Sequence, residues 1–253
     1  MKKVIYEIKD RIGYLTINRP DKKNAIDQEV NHGLWEAFED IRNNRDVWVA
    51  ILTGAGDTIS TGHDLAWQLQ TEAEGGKSTA DLYEYIYNIW KPCVAAINGY
   101  CLAQGAGLAL SCDIRIAADN AQFGWPQVKR GIASISGPTV LTKLVPHNIA
   151  MQYLFTGDFF TAREALRWGV VNLLASPDKL MEETEKFVRT RILVNAPLAM
   201  RAIKEVAVRG RNMIALDQAR LAGIFLNQLN SSEDSKEGLA AFFEKREPKF
   251  KGM

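Results

Sequence analysis

The chain opens with two alternating stretches. Val4–Asp10 (VIYEIKD) and Ile12–Asn18 (IGYLTIN) interleave apolar and polar residues around Arg11, the period of short, half-buried strands. A turn, RPDKKNAID, comes next. Val30, Leu34, Phe38 and Ile41 then recur at helical spacing, which predicts a helix with Asp27 as its N-cap. Trp48–Gly54 (WVAILTG) is apolar throughout and ends at Gly54, as expected of a strand buried on both faces in a parallel sheet. After a long loop and a helix predicted over Asp81–Trp90, Cys93–Ile97 (CVAAI) is the next such strand. A helix opening near Gly105, then Ile114–Ala118 (IRIAA), a short AQFG segment and Val170–Ala175 (VVNLLA), complete the series. Strands separated by helices predict an α/β core with right-handed crossovers. From about Pro177 the pattern is helical only, so residues 1–176 are expected to form the core and 177–253 an appended layer that serves assembly.

Composition narrows the function classes. At 253 residues, 47% hydrophobic and 24% charged, the chain has the make-up of a soluble globular protein with ample core. A net charge of +1 gives no electrostatic footprint for nucleic acid. The start has two lysines but no unbroken apolar core, and no run of apolar residues is long enough for a membrane span. Cys93, Cys101 and Cys112 lack C-x-x-C spacing and sit among apolar residues, which reads as reduced core thiols in a cytoplasmic protein. His32, His63 and His147 are isolated from one another, so no zinc site is expected.

The glycine-rich stretches fail the familiar phosphate-binding patterns. Gly105-x-Gly107 is followed by Leu110 where the dinucleotide fingerprint needs glycine, and Gly54-Ala-Gly56 precedes no G-K-[ST]. Ile132–Pro138 (IASISGP) lacks the spacing of a nucleophile elbow. Asn98–Asp113 (NGYCLAQGAGLALSCD) nevertheless joins a strand to a helix through small residues. Such a helix start points free N–H groups at one place and lets a ligand approach the backbone, an arrangement able to stabilise an oxygen anion. The same glycines would equally permit close packing of helix on sheet.

Six segments, in fixed order, carry a resemblance over nearly the whole chain. They are NRPDKKNA (Asn18–Ala25), STGHDL (Ser60–Leu65), Lys91–Asp113, AADNAQFGWPQVKRGI (Ala117–Ile132), Thr156–Asn172 and EGLAAFFEKREPKF (Glu237–Phe250). The sequence resembles the crotonase superfamily, the enoyl-CoA hydratases and isomerases. The resemblance implies a spiral of ββα units with a C-terminal helical trimerisation region, and hence a homotrimer or a dimer of trimers. It implies an acyl-CoA thioester as substrate, with no cofactor or metal besides coenzyme A. The thioester oxygen would lie between the backbone N–H groups of His63 and Gln104.

The sequence departs from the family pattern at the chemistry. Where hydratases of the family carry two glutamates, this chain has Gly107 and Gln127, and an amide is no base at neutral pH. Restoring both, by Gly107→Glu with Gln127→Glu, is therefore expected to raise hydration of crotonyl-CoA. Ser134 occupies the loop where some relatives carry an aspartate. His63 is the only titratable ring in the matched site. Lys22, Lys23, Ser60, Gly62, Asp64, Phe242 and Lys245 fall at or beside positions expected to hold the coenzyme, the last two from a neighbouring subunit. Trp125, Trp90 and Tyr87 are candidates for the acyl pocket wall. The resemblance implies an enzyme working through a thioester enolate with non-standard acid/base groups. Decarboxylation, C–C bond hydrolysis and a catalytically silent CoA-thioester-binding protein are the alternatives.

Overall fold

The computed structural model describes residues 2–68 and 78–253. Its strands are β1 (Val4–Lys9), β2 (Ile12–Ile17), β3 (Val49–Gly54), β4 (Thr58–Ser60) and β5 (Cys93–Ile97), followed by β6 (Tyr100–Leu102), β7 (Ile114–Ala118), β8 (Gln122–Gly124), β9 (Phe159–Thr161) and β10 (Leu173–Ala175). The opening alternation is a β1–β2 hairpin. Its turn residues, Asp10 and Arg11, both have positive φ (50° and 69°), the handedness that matches strand twist in a two-residue turn.

Two sheets result. The larger runs β1-β2-β3-β5-β7-β10, parallel from β2 onward, and the smaller runs β4-β6-β8-β9 with only its last pair antiparallel. Consecutive strands leave in pairs, one to each sheet: β3 with β4, β5 with β6, β7 with β8. This is the spiral of ββα units that the resemblance implies. The small-sheet strands span three residues each, too short to show a period, and the sequence pattern missed all but the segment around Gln122.

Both faces of the large sheet are covered, which explains the unbroken apolar runs. Ala50, Leu52, Cys93, Ala95 and Ile97 share one buried cluster with Leu34, Phe38 and Leu108. Val49, Ile51, Val94, Ala96 and Ile116 share another with Leu180, Val188 and Ile192, so the helical segment just after Pro177 packs on the sheet. The helix Gln28–Asn43 starts at Asp27, whose side chain accepts from Val30 N. The helix predicted over Asp81–Trp90 instead spans Thr79–Tyr87, and Asn88 closes it by donating to the Glu84 carbonyl at 2.8 Å. Only Leu173–Ala175 of the predicted VVNLLA strand pairs; Val170 and Val171 precede it as buried loop.

The helices Pro197–Arg209, Ala215–Asn230 and Glu233–Glu244 end the chain. They expose Ile203, Ile224, Leu226, Leu239, Phe242 and Phe243. Cys93, Cys101 and Cys112 are free and buried, and burial pushes all three thiols up, Cys93 to about 11. Among the described residues, no helix is long and apolar enough to cross a membrane.

Candidate active site

Two turns, distant in sequence, meet at Gly62. The first is held by its neighbours. Ile26 N donates to Gly62 O and Asp64 N donates to Ile26 O, each at 2.8 Å, so His63 forms a parallel bridge to Ile26. The His63 peptide N–H is therefore turned to the side of the strand away from Ile26. Ser60 Oγ accepts from Gly62 N at 3.1 Å and donates to Asn24 O at 2.8 Å. Arg19 reaches Asp64 at 2.8 Å and Asp27 at 3.3 Å, which ties NRPDKKNA to STGHDL. The Arg19 hydrogen bond also holds the Asp64 carboxyl below the usual range.

The second turn is β6 running into the helix Ala103–Ser111. Its N-cap is Leu102, which has no side-chain acceptor for the first free N–H groups. Ala103 has φ +52°, a left-handed conformation that costs a non-glycine residue about 1–2 kcal/mol. Gly62 has φ +94°, and a Cβ there would lie 2.7 Å from Ala103 Cβ and 3.1 Å from Gln104 N. Gly105 abuts β4 in the same way, since a Cβ would meet Ser60 Cβ at 2.6 Å. These two glycines let the turns touch.

A cavity of about 630 Å³ opens beside this contact. His63, Asp64, Ala103 and Gln104 line it together with Lys22, Gln127, Arg130 and Ser134; Leu65, Leu102, Ile132, Ile135 and Phe159 supply apolar wall. The sequence thus brings six of its candidates to one place: Lys22, His63, Asp64, Gln104, Gln127 and Ser134. Asp64 is the only acidic residue on that wall among those described, and it is paired with Arg19. Burial drives the His63 imidazole down to about 4, so it is neutral at pH 7, and its ring stands edge-on to Trp67 at 5.5 Å. The Oε1 atoms of Gln104 and Gln127 are buried with no hydrogen-bond partner among the described residues. Ser134 Oγ accepts from Gly137 N at 3.1 Å.

Other candidates lie elsewhere. Lys23 is ion-paired with Asp57 at 2.9 Å, outside the cavity wall. Ser60 and Gly62 are backbone supports. Gly107 is buried, with Tyr83 against it. Trp125, expected on the pocket wall, is 1% exposed and donates from Nε1 to Ser136 Oγ. Trp90 lies under the Arg209 guanidinium, and Tyr87 is half-buried away from the cavity. Phe242 and Lys245 stand exposed at the end of the last helix. Sequence reasoning missed Ser136, because nothing in a lone serine shows that it will reach the Ala103 carbonyl across 33 residues. Among the described residues, no cluster of three or more metal-ligating side chains occurs.

A family model described as enoyl-CoA hydratase/isomerase matches residues 7–253. The chain belongs to that family. It is 36% identical to (E)-benzylidenesuccinyl-CoA hydratase of Thauera aromatica over 98% of its own length and 99% of the relative's. It is 38% identical to carnitinyl-CoA dehydratase of Salmonella arizonae over 94% of each chain. Among solved structures, the enoyl-CoA hydratases of Mycobacterium marinum and Mycobacterium tuberculosis H37Rv each superpose with a TM-score of 0.92 at 34% identity, over the full length of both chains. The fold is therefore that of the enoyl-CoA hydratases, and the chain is an acyl-CoA enzyme of the hydratase/isomerase type.

Proposed function

We propose that this family member binds an acyl-CoA thioester with its carbonyl oxygen between the peptide N–H groups of His63 and Gln104, and stabilises the enolate that forms there. The observation that carries this reading is the contact at Gly62, which sets both turns on the wall of one cavity. Backbone donors aimed where charge develops are worth about 2.7–4 kcal/mol each in a water-poor site. Lys22, whose ammonium has no hydrogen-bond or ion-pair partner among the described residues, suits the coenzyme's phosphates at the rim. Gly107 and Gln127 stand, in this reading, where other hydratases of the family carry glutamate.

Proton transfer then falls to weak groups. The His63 imidazole is neutral but a poor base, with its value near 4. Gln127 lines the cavity as an amide and cannot take the proton. Hydration or dehydration of a CoA thioester, the activity by which the two relatives are named, is the first reading.

A second reading rests on the cavity's charge. Its one acid is paired, whereas Arg130 lines the wall without a partner among the described residues. That arrangement suits a substrate carrying its own carboxylate at Cα. Cleavage of the Cα–carboxylate bond releases CO₂ and leaves its electron pair in the enolate, so no protein base is needed before Cα is protonated. Incubation with saturated, enoyl and malonyl-type CoA thioesters in D₂O tests both. Deuterium at Cα without loss of CO₂ supports the first, CO₂ release supports the second, and binding with neither leaves the protein a thioester binder.

A further inference from the structure

The Ala103–Gln104 peptide unit is gripped from behind. Ser136 Oγ donates to Ala103 O at 2.9 Å, and Ser136 Oγ in turn accepts from Trp125 Nε1 at 2.9 Å. Ser136 is fully buried and Trp125 is 1% exposed, stacked on Phe160 in an aromatic core. Across a planar trans peptide the C=O and the following N–H point in opposite directions. Fixing the Ala103 carbonyl therefore fixes where the Gln104 N–H points, which is away from Ser136. A donor on the carbonyl also polarises the amide and makes its N–H a stronger hydrogen-bond donor. The left-handed φ of Ala103 gives this grip something to oppose, because an alanine left to itself would leave that conformation.

We propose that Ser136, held in its rotamer by Trp125, is a positioning residue that aims and strengthens the Gln104 N–H toward the thioester oxygen. The inference rests on the reading of that N–H as an oxyanion donor. Ser136 lies behind the turn and is not itself on the cavity wall. Its removal should weaken polarisation of the ligand while leaving the pocket that binds it.

The test is vibrational. Butyryl-CoA carrying ¹³C at the thioester carbon is bound to the wild type, Ser136→Ala and Trp125→Phe, and the carbonyl stretch is read by isotope-edited difference infrared spectroscopy. The wild type should shift the band to lower frequency than in free butyryl-CoA. Ser136→Ala should lose most of that shift with little change in Kd, and Trp125→Phe, which keeps the hydroxyl but frees it to rotate, should lose part. An undiminished shift in both variants would overturn the role of Ser136 while leaving the oxyanion site intact. Absence of any shift in the wild type would instead remove the oxyanion reading, and the positioning role with it. Should Ser136→Ala fail to fold, Trp125→Phe decides the matter alone.

Discussion

The Tyr83 phenol fills the space that a side chain at Gly107 would need. A Cβ on Gly107 would lie 2.4 Å from Tyr83 Cζ and 2.5 Å from its hydroxyl oxygen. Tyr83 is buried, burial pushes its phenol up, and its hydroxyl reaches the Gln104 carbonyl at 3.5 Å. The expectation that two new glutamates suffice to raise hydration is revised accordingly. Gly107→Glu alone should overpack this contact and lower stability by about 1–3 kcal/mol or more. Gln127→Glu, nearly isosteric, should fold normally. Gain of crotonyl-CoA hydration is expected from Tyr83→Ala/Gly107→Glu/Gln127→Glu and not from Gly107→Glu/Gln127→Glu. Thermal melts and hydration rates of these variants check it, and equal rates for the double and triple variants would refute the steric account.

Gly62 is the hinge between the two turns. Gly62→Ala puts a methyl group into a backbone of φ +94° and against Ala103. Strain and clash together should cost about 1–3 kcal/mol of stability. Acyl-CoA binding or turnover should fall about tenfold or more, because a small displacement of an oxyanion donor loses most of its effect. Denaturant melts and titration calorimetry with butyryl-CoA measure the two effects separately.

His63 sets an acid limit. Its value is near 4 in the folded protein, through burial, against 6.5 for an ordinary imidazole. Between these values the unfolded chain binds a proton that the folded one excludes, so stability falls as pH drops from about 6.5 toward 4. Above pH 6.5 both forms are neutral and the penalty vanishes. The full effect is at most about 3 kcal/mol, with a maximal slope of about 1.4 kcal/mol per pH unit. His63→Gln should therefore narrow the loss of stability between pH 7.5 and pH 5, read as the change in Tm at each pH. Identical pH dependence in wild type and variant would count against a buried neutral ring.

The C-terminal helices present apolar side chains to solvent in a single chain. Ile224 is 57% exposed, Leu226 58%, Phe242 77% and Phe243 79%, large apolar side chains that a single chain leaves in water. Assembly into a trimer or a dimer of trimers is the expected outcome, since obligate interfaces are apolar in this way. Light scattering at micromolar concentration should give a trimeric or hexameric mass. Ile224→Asp with Phe242→Asp should shift it toward monomer and weaken acyl-CoA binding if Phe242 and Lys245 complete a neighbour's site.

The sequence by itself determined the large sheet, the first helix and the resemblance that names the family. Those features are local: strands buried on both faces read as apolar runs, Asp27 caps the helix that starts beside it, and motif order survives without any contact being known. Six site candidates were legible for the same reason, because NRPDKKNA, STGHDL, the Asn98 turn, FGWPQ and the loop of Ser134 each carry their own residues to the cavity. Only the tertiary structure decided the rest. The small sheet is built from three-residue strands with no period, and its register comes from pairing alone. Lys23 was separated from Lys22 by an ion pair with Asp57, Trp125 was drawn into an aromatic core, and Tyr83 arrived beside Gly107 from a helix 24 residues upstream. Ser136 reached Ala103 the same way. Contacts across the fold depend on where whole elements pack, and no window of the sequence holds that information.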